Sequence, residues 1–256
     1  MPGNLSRGED FIMAEEKKER KIVKVNEDGA TKTESGKTIK EAKPVGNAGG
    51  LRCGAIICWL VAICFEVLGF LMYFGKVNIS FLPTLAGIIA VLVLDLIFVI
   101  IGSQLWKKAN HIDPASEKNP VKFFLWNNMG VIVCILAFLP YIILILTDKQ
   151  NKLDKKTKAI AVVVGIIALL IGGLASYDWN PISAEQKEAA EQVITSDVYW
   201  TQFGRVYHTS EDCQHLNNSD TLYQGTVEEA IAANKSRLCK TCADRDNISG
   251  VYTEGE

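Results

Sequence analysis

The sequence predicts a mainly α protein: a four-helix transmembrane bundle with a small C-terminal α+β module. Three observations carry that expectation. Charge is segregated, because stretches 53–75, 81–106, 123–147 and 159–176 make up 92 of the 256 residues but hold two of the 56 charged side chains, Glu66 and Asp95. Each stretch matches or nearly matches the roughly 20 residues an α-helix needs to cross a bilayer's hydrocarbon core. After the fourth stretch the character changes: residues 176–256 carry six Lys/Arg against fourteen Asp/Glu and contain His208-x4-Cys213 and Cys239-x2-Cys242. A single soluble globular domain is excluded, as is a collagen-like chain. A disulfide-stapled secreted scaffold is excluded too, since Cys53, Cys58, Cys64 and Cys134 lie inside apolar stretches.

Residues 1–50 hold ten Lys/Arg and nine Asp/Glu and no aromatic beyond Phe11. Such a segment buries too little apolar surface to offset its conformational entropy, which predicts a disordered charged tail. It is no signal peptide, because the first apolar run starts near residue 53 and is too long for an h-region. Arg7-Gly8-Glu9 is what a purine-rich ribosome-binding site encodes when translated, which makes Met13 the expected natural start in a bacterial source.

Residues 51–176 form the expected four-span domain. Spans one and two are joined by Gly75 to Ser80, short enough to force an antiparallel pair. The loop from Lys107 to Lys122 carries four lysines and His111, and the loop from Asp148 to Lys158 carries five lysines. Trp106 and Trp126 fall where spans two and three meet one surface, and Trp179 follows span four; all three fit an aromatic belt. Glycines within the spans suggest close helix approach. With the N-terminus inside, nine Lys/Arg near span ends lie inside and six outside, which favours cytoplasmic N- and C-termini at the cell membrane.

Residues 177–197 are expected as a helical stalk, opened by Pro181 and the capping box Ser183-x-x-Gln186. A module over 198–245 follows, and 246–256 is a terminal tail. In the module, 198–201 and 205–208 predict a β-hairpin, and Thr226-x-x-Glu229 predicts a helix over Val227–Ala233. Its expected core is thin: Val198, Trp200, Phe203, Val206, Tyr207, Leu216, Leu222, Ile231 and Leu238.

His208 and Cys213, then 25 residues, then Cys239 and Cys242, are two ligand pairs that a folded-back segment brings together. Three thiolates and an imidazole suit the tetrahedral, borderline-soft preference of Zn²⁺. Structural zinc is therefore the expected cofactor. A redox dithiol at Cys239/Cys242 and unliganded thiols are the lesser readings, and His215 is the rival fourth ligand. Thr201 to His208, Cys213, Glu229 to Asn234 and Leu238-Cys239-Lys240-Thr241-Cys242 resemble the zinc module of Ada-type DNA-repair methyltransferases. The likeness spans 198–245, under a fifth of the chain. The layout is also similar to that of bacterial four-span membrane proteins of unassigned role that end in such a tail. The resemblance implies a metal-stapled module. It argues against methyl transfer, because the position of the family's methyl-accepting cysteine holds His208, and imidazole cannot replace an activated thiolate in that reaction. The acidic tail argues against nucleic acid as a partner.

Glu66 and Asp95 form the expected intramembrane acidic pair, at similar depth if spans one and two are antiparallel. No nucleophile–base pair, P-loop, GxGxxG, HExxH or GxSxG is present, so no catalytic residue is assigned and an enzyme is not expected. Two functions remain. One is a membrane protein, with the bilayer and a protein partner, presenting a zinc-stapled structural or interaction module. The other is a small transporter or channel-like protein using Glu66 and Asp95.

Overall fold

The computed structural model describes residues 30–32, 36–43, 45–77, 84–147, 154–249 and 251. Met13 and most of the expected N-terminal tail lie outside these residues, as do residues 78–83 and 148–153 of the two short connections.

Four long helices carry the apolar stretches: α1 (Ala48–Tyr73), α2 (Thr84–Ile112), α3 (Pro120–Thr147) and α4 (Lys155–Ser176). All four are long and apolar enough to cross a membrane. Their ends follow local chemistry. Asn47 caps α1 by accepting from the N–H of Gly49 and Gly50. Pro120 stands at the first position of α3, where its missing N–H leaves nothing unpaired. Asp154 caps α4 by accepting from Lys156 and Thr157. Helix α2 runs six residues past Trp106 to Ile112, because no breaker intervenes before Pro114. Lys107, Lys108 and His111 are therefore helical rather than loop residues, and so are Lys155, Lys156 and Lys158 at the start of α4.

Helix α2 is central and packs against α1, α3 and α4. Small residues permit that closeness. A Cβ at Gly130 of α3 would stand 2.7 Å from Ser103 Oγ of α2, and one at Gly172 of α4 would stand 2.6 Å from Cys134 Sγ of α3. Trp106 does not face lipid as a belt residue would. It is buried between Trp59 and Trp126, at ring separations of 5.3 and 5.4 Å, and its indole N–H donates to the Trp126 carbonyl. The Arg52 guanidinium lies over both Trp106 and Trp126 and pairs with Asp113 at 2.7 Å. Trp179 is exposed.

The C-terminal unit has α5 (Ala184–Val193), β3 (Val198–Trp200), β4 (Val206–Tyr207), a 3₁₀ turn (Gln214–Leu216), β5 (Thr221–Gly225), α6 (Val227–Ala232), β6 (Arg237–Leu238) and α7 (Lys240–Asp246). Both capping boxes form, Ser183 with Gln186 and Thr226 with Glu229.

The described residues of the N-terminal segment, 30–32, 36–43 and 45–50, depart from the expectation of disorder over 1–50. Strands β1 (Ala30–Lys32) and β2 (Thr38–Glu41) extend the sheet of the C-terminal unit in the order β1-β2-β5-β3. β2 runs parallel to β5 with Ile39 opposite Leu222, and Ile39 joins the core of that unit. Composition missed this because a strand of four residues needs one buried side chain and a partner edge, not a hydrophobic run. Residues 48–50 already belong to α1. The expected stalk is not a stalk: Ile182, Ala190 and Ile194 pack into the same core as Val198, Tyr207 and Leu238. The expected hairpin shrinks to one antiparallel bridge, Tyr199 with His208, because β3 pairs with β5 and β4 pairs in parallel with β6. Phe203, placed in the expected core, is 90% exposed at the turn.

A polar junction fixes this unit to the end of α2. The Lys187 ammonium donates to the Ile112 carbonyl at 2.7 Å, capping α2, and the Ala184 N–H donates to the Ala115 carbonyl. Lys107 and Gln104 cap α4 at the Ala175 carbonyl.

Candidate metal centre

The parallel pair β4–β6 sets Val206 beside Arg237 and Tyr207 beside Leu238, and the Cys239 N–H continues the ladder to the Tyr207 carbonyl at 2.9 Å. The next residues out, His208 and Cys239, therefore emerge side by side. Tyr207 and Leu238 are fully buried beneath them, so the strand ends are held by the core. The other two side chains come from tight turns. Cys213 precedes the 3₁₀ turn, and its sulfur accepts from the His215 backbone N–H. Cys239 stands at the start of α7, which brings Cys242 back over it within one turn. Arg245 and Asp246 of α7 both bond Thr209, tying the helix to the strand that carries His208.

The four ligand atoms lie within 4.8 Å of one another, and all four residues are buried. Cys213 Sγ is 4.0 Å from Cys239 Sγ, and Cys242 Sγ is 3.8 Å from His208 Nδ1. A tetrahedral ion with metal–sulfur bonds of about 2.3 Å and metal–nitrogen bonds of about 2.0 Å sets such edges at roughly 3.8 and 3.5 Å. The cluster could hold a metal ion with only small adjustment. His215 stands outside it: exposed, with Nε2 bonded to Thr241 Oγ1 at 3.0 Å.

The electrostatics match the geometry. Burial, reinforced by nearby His215, lowers the His208 imidazole to about 4, so it is neutral and free to ligate at neutral pH. Burial pushes the Cys213 thiol up, with Cys242 and Cys239 adding to the rise. Three buried thiols cannot ionise together unless a cation balances them, and a bound divalent ion does so. None of the seven cysteines forms a disulfide.

Glu66 and Asp95 lie elsewhere, within the span region. Phe65 stacks on Phe98 at 5.7 Å and Gly69 faces Val91, which brackets the two acids at one level of the α1–α2 hairpin. Asp95 is fully buried, and Glu66 is partly buried.

A further buried pair escaped the sequence reading. His111 Nε2 donates to Asp178 Oδ2 at 3.0 Å, and the side chains are 3% and 5% exposed. Asp178 Oδ1 accepts the Asn180 N–H, and the Asn180 amide in turn donates to the Arg205 and Asn234 carbonyls. Burial raises the Asp178 carboxyl, but the His111 bond and charge, the Asn180 N–H and the Lys107 ammonium outweigh it and hold it below its ordinary range. A signal existed: Gln104, Lys107 and His111 recur at i, i+3 and i+7, a polar face continuing the second span.

No family model, curated protein or solved structure matches this chain. The likeness of residues 198–245 to the Ada-type zinc module rests on the quoted residues alone.

Proposed function

We propose that this is a non-catalytic multi-pass protein of the cell membrane that presents a zinc-stapled protein-interaction module on the cytoplasmic side. The observation that carries the reading is the burial of His208, Cys213, Cys239 and Cys242 within 4.8 Å of one another. Three thiolates and one imidazole select zinc over harder cations, and four protein ligands leave no open position for a water or substrate. That closed set supports a structural ion rather than a catalytic one. A reducing cytoplasm keeps the thiols available, and the Lys/Arg balance favours that side. The unit's excess of acidic residues suits a basic protein surface and repels phosphate backbones.

The test is metal analysis of the full chain purified in detergent. One zinc per chain is expected, lost in Cys239→Ala and His208→Ala and kept in His215→Ala. His208→Cys retains the metal, since four thiolates serve zinc equally well. Stripping the ion exposes the unit to proteolysis while α1 to α4 stay inserted, because structural zinc contributes about 10–16 kcal/mol of apparent folding free energy. A full chain free of metal whose C-terminal unit resists protease would overturn the proposal.

A further inference from the structure

The two intramembrane acids have no balancing charge within the apolar stretches. Glu66 and Asp95 are the only charged residues in the four apolar stretches, which contain no Lys, Arg or His. They lie within electrostatic reach of each other, and neither carboxyl oxygen of the fully buried Asp95 has a hydrogen-bond partner among the described residues. An unbalanced carboxylate in that condition is strongly disfavoured in hydrocarbon, and it is relieved either by a proton or by a positive partner from outside the chain.

Glu66 also borders open space. It lines a cleft of about 450 Å³ between α1 and α3, two helices that touch only briefly. The walls are Ile56, Leu60, Ile63, Val133 and Leu136, with Trp59 beside them. The buried Trp59 indole N–H has no partner among the described residues. The volume is that of a small-molecule site. A lipid acyl chain would match the walls but leave both acids uncompensated. A hard metal ion needs about six oxygen ligands, which two carboxyls and apolar walls do not offer.

We propose that the α1–α3 cleft binds a lipophilic monocation, an organic ammonium or phosphonium with apolar substituents. Its positive charge rests against Glu66, and its substituents fill the apolar walls, the Trp59 ring among them. Asp95 lies behind Glu66 and does not line the cleft, so the cleft accommodates one cation rather than two. The inference is independent of the metal centre.

The test uses the full chain in nanodiscs of zwitterionic lipid, with radiolabelled tetraphenylphosphonium as probe and empty discs to subtract partitioning. Saturable binding of one cation per chain is expected, and the size-matched anion tetraphenylborate should show none. Glu66→Gln weakens binding by at least about tenfold, as removal of one partner of a desolvated charge pair does. Trp59→Leu, which trims a wall of the cleft, weakens it severalfold. Glu66→Asp keeps the charge and retains binding, which separates lost affinity from misfolding. Absence of saturable binding, as when an acyl chain or a second copy fills the cleft, overturns the proposal. So does equal binding by Glu66→Gln or equal uptake of the borate.

Discussion

Replacing Asp178 with alanine tests whether the C-terminal unit is bolted to the spans or merely tethered. The carboxylate accepts two hydrogen bonds of 3.0 Å, from His111 Nε2 and from the Asn180 N–H. His111 Nδ1 is already buried without a partner among the described residues, so the substitution leaves both ring nitrogens unpaired there. Breaking a buried charged pair by removing one member costs about 3–5 kcal/mol, or roughly two to three and a half powers of ten in a local opening equilibrium. Amide hydrogen exchange on the full chain reads this at Ala184, whose N–H donates across the junction to the Ala115 carbonyl. That amide should exchange at least about a hundredfold faster, while Ala243, bonded to Cys239 inside the unit, should hold its rate. Asp178→Asn should cost about 1–2 kcal/mol, because the new amide can still bond the His111 ring and its oxygen can still accept the Asn180 N–H. The pH dependence has a definite sign. The Asp178 carboxyl is held below its ordinary range, so its contribution is complete above about pH 4 and disappears as pH falls through the lower folded value. Unchanged exchange at Ala184 in Asp178→Ala would refute the reasoning.

Two further outcomes follow from packing. Ile39→Ala should lower the stability of the C-terminal unit by about 2–4 kcal/mol, read as a fall in its thermal midpoint, while Phe203→Ala changes it by less than about 0.5 kcal/mol because that ring is 90% exposed. Gly130→Ala should loosen the spans by about 1–3 kcal/mol, visible as earlier thermal aggregation in detergent: the new methyl meets Ser103, whose Oγ is held by a 2.7 Å bond to the Val99 carbonyl.

The parts legible in the sequence were those with a period, a run or a fixed spacing. Four apolar stretches became four helices, and two capping boxes opened α5 and α6 within a residue of expectation. His208, Cys213, Cys239 and Cys242 drew attention because paired ligands at short spacing are rare by chance. The rest was hidden in tertiary contacts. Nothing local tells that Thr38–Glu41 will borrow the edge of β5, or that β4 prefers β6 to its neighbour in sequence. Trp106 looked interfacial because Trp at a span end usually is. The structure instead spends its indole N–H on the Trp126 carbonyl between helices. His111 looked unremarkable because its partner, Asp178, lies beyond two further spans.

The parallel pairing of β2 with β5 has a consequence for how the chain is made. β2 is synthesised before any span, and its partner β5 only after all four, so this pairing waits for the whole span region and closes a very long loop, a slow kind of contact to form. Until then β2 can pair only with β1, and its other edge waits unpaired. The two strands can meet only if an even number of spans has crossed the bilayer. A chain that inserts three puts them on opposite sides, and Ile39 never reaches Leu222. The finished sheet thus acts as a parity check on insertion, and a misinserted copy exposes an incomplete core to proteases and quality control.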